Sequence, residues 1–248
     1  MREAILTVKD GSKVTETGMI IMNKLNLTVN KGDFITVLGG NGAGKSTLFN
    51  AISGTMPLTS GAIILKTKDV THLGEEKRAD YLSRVFQDPK NGTAPRMTVA
   101  ENLLLAKQRG KKRTLKTRQL KKYLPLFKDI CAQIGNGLEN HLNTPAGNLS
   151  GGQRQVLSLL MATINKPEIL LLDEHTAALD PKTGKQLIKL TNEKVKDDQL
   201  TCLMITHQMQ DALDYGNRLI VLSKGQVIKD YSKFEKEQLT MDDLLKFF

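Results

Sequence analysis

The chain has no tryptophan, only 4% aromatic residues and two cysteines in 248 positions. Each shortage excludes something. Cys131 and Cys202 lie far apart with no Cys-x-x-Cys, so neither a disulfide framework nor a cysteine-rich zinc site is expected, and a reducing compartment fits. Scarce aromatics argue against a surface on which bases stack. The net charge of +10 leaves phosphate-bearing partners open, but nucleic acid is not expected among them. Long apolar runs are missing too. Stretches such as Ile169 to Leu172 fall far short of the roughly 20 residues a membrane helix needs. The opening MREAILTVKDGS returns to charge too soon for a secretory signal. A chain soluble by itself is the expectation.

What is present is 40% hydrophobic residues, enough to bury a substantial core in one large domain or two closely joined ones. Ala4 to Val8 reads as a strand. Leu25, Leu27 and Val29 alternate with polar residues as in a half-buried antiparallel strand, while Phe34 to Leu38 is continuously apolar, as in a strand covered on both faces. A helix over Ser46 to Ser53 stops at Gly54, and short strands are expected at Ala62 to Leu65 and Arg84 to Phe86. Between about Asp88 and Asn148 helical patterns dominate. Strand–helix alternation then resumes, with strands at Ile169 to Leu172, Thr201 to Ile205 and Leu219 to Leu222 and helices starting near Gly152, Lys182 and Gln208. Gly225 turns a final hairpin and Met241 to Phe247 reads as a terminal helix. Repeated βα units imply a mostly parallel sheet with helices over it.

Two glycine-rich strings stand out. Gly39, Gly40, Asn41, Gly42, Ala43, Gly44, Lys45 and Ser46 fit G-x-x-x-x-G-K-[ST] between a strand and a helix. Glycines there let backbone N–H groups wrap phosphate oxygens at a helix N-terminus, Lys45 reaches the β- and γ-phosphates, Ser46 ligates Mg²⁺, and Thr47 adds support. Downstream, an apolar strand ends in Asp173 and Glu174. Asp173 suits a Mg²⁺ site, held mostly through water, and Glu174 suits a general base that polarises the attacking water. The second string is Leu149-Ser-Gly-Gly-Gln153, opening another helix. Ser150 suits an N-cap, while Gly151 and Gly152 bare N–H groups at the positive helix end. A specified five-residue string turns up by chance in such a chain at odds on the order of 10⁻⁴.

With Gln87 in Val85-Phe-Gln-Asp-Pro89, Asp180 in Ala178-Leu-Asp180 and His207 in Ile205-Thr-His-Gln208, these motifs run in the order found in ABC transporters. The chain resembles their ATP-binding subunit over essentially its whole length. That resemblance implies a P-loop NTPase of ABC ATPase type. The expected α/β fold has a mostly parallel sheet core, an N-terminal antiparallel β region and an inserted helical subdomain. One ABC ATPase domain would span 1–248, with 1–87 and 149–248 as catalytic core and 88–148 as helical subdomain. It implies a head-to-tail dimer in which Ser150, Gly151, Gly152 and Gln153 face the γ-phosphate of the partner's ATP. Gln87 would contact Mg²⁺ and the attacking water, His207 would sense the γ-phosphate, and Asp180 would link the two sites. The implied partners are integral membrane permease subunits and, indirectly, an extracellular substrate-binding protein. The implied location is peripheral, on the cytoplasmic face of the membrane.

The chain departs from the family pattern in places. Members often stack adenine on an aromatic upstream of the loop; here Lys13-Val-Thr-Glu-Thr17 stands there and no aromatic precedes Phe34. Val14, or the aliphatic parts of Thr15 and Thr17, are the candidates to cover the base. Gly40 and His175 replace usual prolines; His175 is read as space-filling, with tuning of Glu174 as the alternative. Lys107, Arg109, Lys111, Lys112, Arg113, Lys116, Arg118, Lys121 and Lys122 crowd the helical segment with no acid among them. They read as a solvated face, with proximity to anionic lipid as the alternative.

Three classes compete: an importer ATPase, a soluble ABC ATPase such as the iron–sulfur assembly type, and a P-loop kinase or GTPase. The last leaves Leu149 to Gln153 idle. The soluble type usually reads Phe-Ser-Gly-Gly-Glu. Met97-Thr-Val-Ala-Glu-Asn102 resembles the importer pattern where a membrane partner's coupling helix docks. The phrases around Gln87 to Pro95 and Asp173 to Pro181 resemble a branch of bacterial importers that works with lipoprotein binding proteins and is linked to amino acids, aromatic ones included.

Overall fold

The computed structural model describes residues 3–110 and 119–248. Its centre is a six-stranded sheet. The expected continuous apolar runs supply β3 (Phe34–Leu38), β7 (Ile169–Asp173) and β8 (Thr201–Ile205), buried along their whole length. With β6 (Leu82–Val85), β9 (Arg218–Ser223) and β10 (Gln226–Tyr231) they stand in the order β10-β9-β3-β8-β7-β6. All neighbours are parallel except the β9–β10 hairpin. Successive residues divide between two cores. Ile169 and Leu171 face one, and Leu170 and Leu172 the other.

The first core lies under a second, antiparallel sheet in the order β2-β1-β4-β5, together with helix α1 (Lys45–Ser53). Strands β1 (Ala4–Val14), β2 (Ile20–Asn30), β4 (Ser60–Leu65) and β5 (Lys68–Asp69) form that sheet. In β2 the alternation of Leu25, Leu27 and Val29 holds; all three are buried. β1 runs well beyond the expected end at Val8, because bulges around Gly11 carry the strand on to Val14. Helix α2 (Glu75–Arg78) is a single turn, too short for periodicity to reveal. Its Arg78 is buried and donates to the carbonyls of Ala51, Ile52, Thr71 and Leu73 at 2.6–3.0 Å, satisfying the C-terminal end of α1.

The second core is covered by helices. Between β6 and the second glycine string come α3 (Val99–Lys107) and α4 (Leu120–Ala132), the chain being pinned by a bridge between Thr98 and Pro145. Thr98 and Glu101 cap α3 reciprocally. Then follow α5 (Gly151–Thr163) and α6 (Pro181–Asp197), which pack with Phe127, Leu103 and Leu138 on that face. The last helices are α7 (Met209–Asp214), α8 (Lys233–Lys236) and α9 (Met241–Leu245). Cys131 and Cys202 are free and buried; burial pushes the Cys131 thiol up to about 12, so it stays protonated. No helix among the described residues is long and apolar enough to cross a membrane. Of the basic stretch, Lys111, Lys112, Arg113, Lys116 and Arg118 lie outside the described residues. Lys121 and Lys122 are exposed as expected, but Arg109 is not on a solvated face: its guanidinium bonds Ser83 on β6 and burial lowers its pKa.

Candidate functional site

Because β3, β8, β7 and β6 are adjacent and parallel, their carboxyl ends form one edge, the usual place for a ligand in such sheets. Each delivers part of the candidate site. After β3 the chain makes the loop Gly39 to Gly44 and enters α1. At Gly39 a side chain is impossible, since a Cβ would sit 2.5 Å from the Leu222 carbonyl oxygen. Gly44 starts the helix at φ 98°, a left-handed conformation glycine adopts freely. Gly40, Asn41 and Gly42 form the loop's exposed rim, Ala43 is buried, Ser46 is exposed and Thr47 half-buried. Lys45 is buried, and its Nζ donates to the carbonyls of Gly39 at 2.6 Å and Gly40 at 3.1 Å, so the ammonium is held inside the loop's own curve. Burial lowers its pKa, opposed by the charges of Glu174 and Asp173.

After β7 come Asp173 and Glu174. Glu174 sits at φ 46°, a left-handed conformation costing a non-glycine residue about 1–3 kcal/mol. Its N–H bonds the Ile205 carbonyl at 3.1 Å, which holds it there. The result aims the carboxylate at the end of β8, where His207 Nε2 lies 2.6 Å from Glu174 Oε1. Glu174 is thus the half-buried partner of an exposed imidazole, on the same edge as Lys45. His175, the next residue, points into the core instead. It is buried, its Nε2 lies 3.0 Å from Thr191 Oγ1, and burial lowers its pKa to about 4. It fills space as a neutral ring.

After β6 the exposed Gln87 follows at the same edge. Three residues earlier stands a group that the motifs did not single out. Arg84 reaches across from β6 and donates through Nη2 to Asp173 Oδ2 at 2.5 Å and through Nη1 to Asn50 Oδ1 on α1 at 2.7 Å. An arginine in a strand otherwise facing an apolar core was the available signal, since such a charge needs a buried partner.

The second glycine string lies on a different element. Ser150 caps α5 reciprocally with Gln153, each backbone N–H bonding the other's side chain at 3.2 Å. Gly152 lies close to α6: a Cβ would stand 2.6 Å from Thr183 Cγ2, so that side chain would have to shift. Asp180 caps that helix by accepting from Thr183 N at 3.0 Å, and these bonds lower its pKa. The string and Asp180 thus form one small unit. α5 packs on α3, β6 and α6, whereas α1 packs on β2 and β7.

A family model described as "ABC transporter" matches residues 22–177, more than half of the chain. The chain belongs to the ABC transporter family. Among relatives of this ABC protein, the tyrosine transport ATP-binding protein of Clostridioides difficile is 46% identical over 228 residues, covering 92% of this chain and 90% of that protein. The spermidine/putrescine import ATP-binding protein PotA of Pasteurella multocida is 35% identical over 87% of this chain, which spans only 55% of PotA. Among solved structures, a dimeric ATP-binding cassette in a post-hydrolysis state, bound to ADP and phosphate, superposes with TM-score 0.77 at 27% identity, covering 92% of this chain and 99% of that one. This is an ABC ATPase that binds and hydrolyses ATP, built on the mixed α/β cassette that the resemblance implied.

Proposed function

We propose that this chain energises a membrane importer, working as a head-to-tail pair of identical subunits on the cytoplasmic face beside integral membrane permeases, with an amino acid as cargo. One observation carries the pairing. Lys45, Glu174, His207, Asp173 and Gln87 share one sheet edge, while Ser150 to Gln153 open a helix with different neighbours. A complete site then takes the edge from one subunit and the glycine pair from another, related by a two-fold axis.

In this reading the loop Gly39 to Thr47 wraps the phosphates. The Lys45 ammonium leaves the Gly39 and Gly40 carbonyls for phosphate oxygens. Glu174 takes a proton from the attacking water, with His207 holding its carboxylate and contacting the γ-phosphate. The N–H groups of the partner's α5 start face that phosphate. Ser46, Gln87 and Asp173 are hard oxygen donors that fit Mg²⁺. Among the described residues no cluster of three or more His, Cys, Asp or Glu forms a metal cage. The ion would therefore be held jointly with the phosphates, and when bound it offsets charge developing on them. The catalytic core is 1–87 and 149–248, and 88–148 the helical subdomain.

The permease partner is supported by a small pocket lined by Met97, Glu101, Leu104, Leu105, Gln108 and Leu120, of which Met97 and Glu101 belong to the stretch that resembles the importer docking pattern. The cargo class is supported by the tyrosine transport relative, which the chain matches nearly end to end. Replacing Glu174 by Gln tests the centre of the proposal. The variant should bind ATP, hydrolyse it at least about 100-fold more slowly, as expected for losing a general base, and elute as a dimer only with ATP. A monomeric, fully active Glu174→Gln protein would falsify both the base and the shared site.

A further inference from the structure

We infer that Arg84 is a positioning residue for the metal-site carboxylate: it holds Asp173 by one oxygen against helix α1, leaving the other oxygen for the ion's hydration shell. The inference rests on the reading of Asp173 as the Mg²⁺ carboxylate.

The geometry is specific. Arg84 pairs in register with Leu171, so its side chain emerges on the face where Asp173 also emerges, two residues further along the neighbouring strand. One guanidinium nitrogen takes Asp173 Oδ2 and the other Asn50 Oδ1. Asn50 lies five residues after Lys45 on the helix that the phosphate loop opens. The two-pronged contact thus spans the strand that carries the carboxylate and the helix that carries the lysine. Behind it, the guanidinium lies 4.9 Å from the Phe86 ring centroid, directly before Gln87. Both side chains of the ion pair are about nine-tenths buried, at 9% and 11% exposed.

Two features set this pair apart from a core staple. Arg84 Nε is buried with no partner among the described residues, and a contact selected for stability alone would pair that donor. Among the described residues, no other side chain hydrogen-bonds the Asp173 carboxylate. Without Arg84 no side-chain hydrogen bond among the described residues fixes the orientation of that carboxylate. Groups that orient a metal ligand in this way typically govern about 10–100-fold in metal affinity. A lysine keeps the charge but loses the fork that reaches two acceptors.

The test uses Mn²⁺ as a spectroscopic probe, with the full chain carrying Glu174→Gln so that ATP persists. Electron paramagnetic resonance titration gives Mn²⁺ affinity in the presence of ATP, and ATP affinity is measured separately in chelator. Arg84→Met should weaken Mn²⁺ binding about 10-fold while leaving metal-free ATP binding within about twofold, the scatter expected for an untouched site. Arg84→Lys should recover part of the loss. Asn50→Ala should show a smaller loss, and Arg84→Met with Asn50→Ala no more than Arg84→Met alone, because both act through one contact. Unchanged or tighter Mn²⁺ binding in Arg84→Met overturns the inference. So does an equal loss of metal-free ATP binding, which would mark a fold defect. If the parent protein itself binds no Mn²⁺ with ATP, the metal-site reading falls and takes this role with it.

Discussion

At the scale of single residues, neighbours in sequence do opposite work. Glu174 is turned outward by a left-handed backbone to meet His207, while His175 is turned into the core against Thr191. The motif made Glu174 legible. Nothing in the motif told whether His175 tuned it, because that depends on which way β7 releases the chain. Burial holds the His175 pKa near 4, below the ordinary 6.5, so the folded state favours the neutral ring. Its contribution to stability is complete above about pH 6.5 and is lost as pH falls from there towards 4, in total about 3 kcal/mol. Denaturant midpoints measured across that window should fall for the natural chain and fall less for His175→Gln, while the pH profile of hydrolysis stays put. The stretch expected to cover the base is a second residue-scale matter. Thr15 and Thr17 bond each other at 2.8 Å in the β1–β2 turn, and the exposed apolar side chains on this hairpin are Met19 and Ile20. With no aromatic to stack on, the protein should bind ATP and GTP with comparable affinity. Competition titrations showing a strong preference for ATP would sink that expectation.

At the scale of elements, helix starts carry the candidate site. α1, α5 and α6 begin at Gly44, Ser150 and Asp180, each with a distinct device: a left-handed glycine, a reciprocal cap and an aspartate cap. The caps at Ser150 and Asp180 could be read from residue type and spacing. The contact between their helices could not, since Gly152 packs against Thr183, about thirty positions away in a fold whose packing is close to crystal density. Gly152→Ala sets two effects against each other. Alanine favours a helix by up to about 1 kcal/mol, less in the first turn. The 2.6 Å clash with Thr183 costs about 1–3 kcal/mol. The clash should win, lowering the urea midpoint, and Thr183→Ala in the same chain should restore it. A Gly152→Ala protein as stable as the parent would mean that α6 yields freely. Elements missed from sequence are the shortest, α2, α8 and β5, where one turn or two residues leave no periodicity to detect.

At the scale of the whole molecule, the sheet order brings the phosphate loop, Gln87, Asp173, Glu174 and His207 to one edge, while the second glycine string and Asp180 lie elsewhere. If the chain energises amino acid import, its complex with permeases in lipid should hydrolyse ATP faster when the extracellular binding protein carries an aromatic amino acid. A polyamine should not have this effect; stimulation by spermidine instead would redirect the cargo towards the PotA relatives. By itself the sequence determined the class of chemistry and the kind of fold. Phosphate loops, caps and buried parallel strands each depend on a few residues close together, and their local physics needs no distant partner. Only the tertiary structure decided that Glu174 meets His207, that His175 is a buried neutral ring, and that Arg84 grips Asp173 and Asn50. Those contacts join residues brought together by strand order and side-chain direction. A single charged residue in a strand does not show in advance which buried carboxylate it will meet.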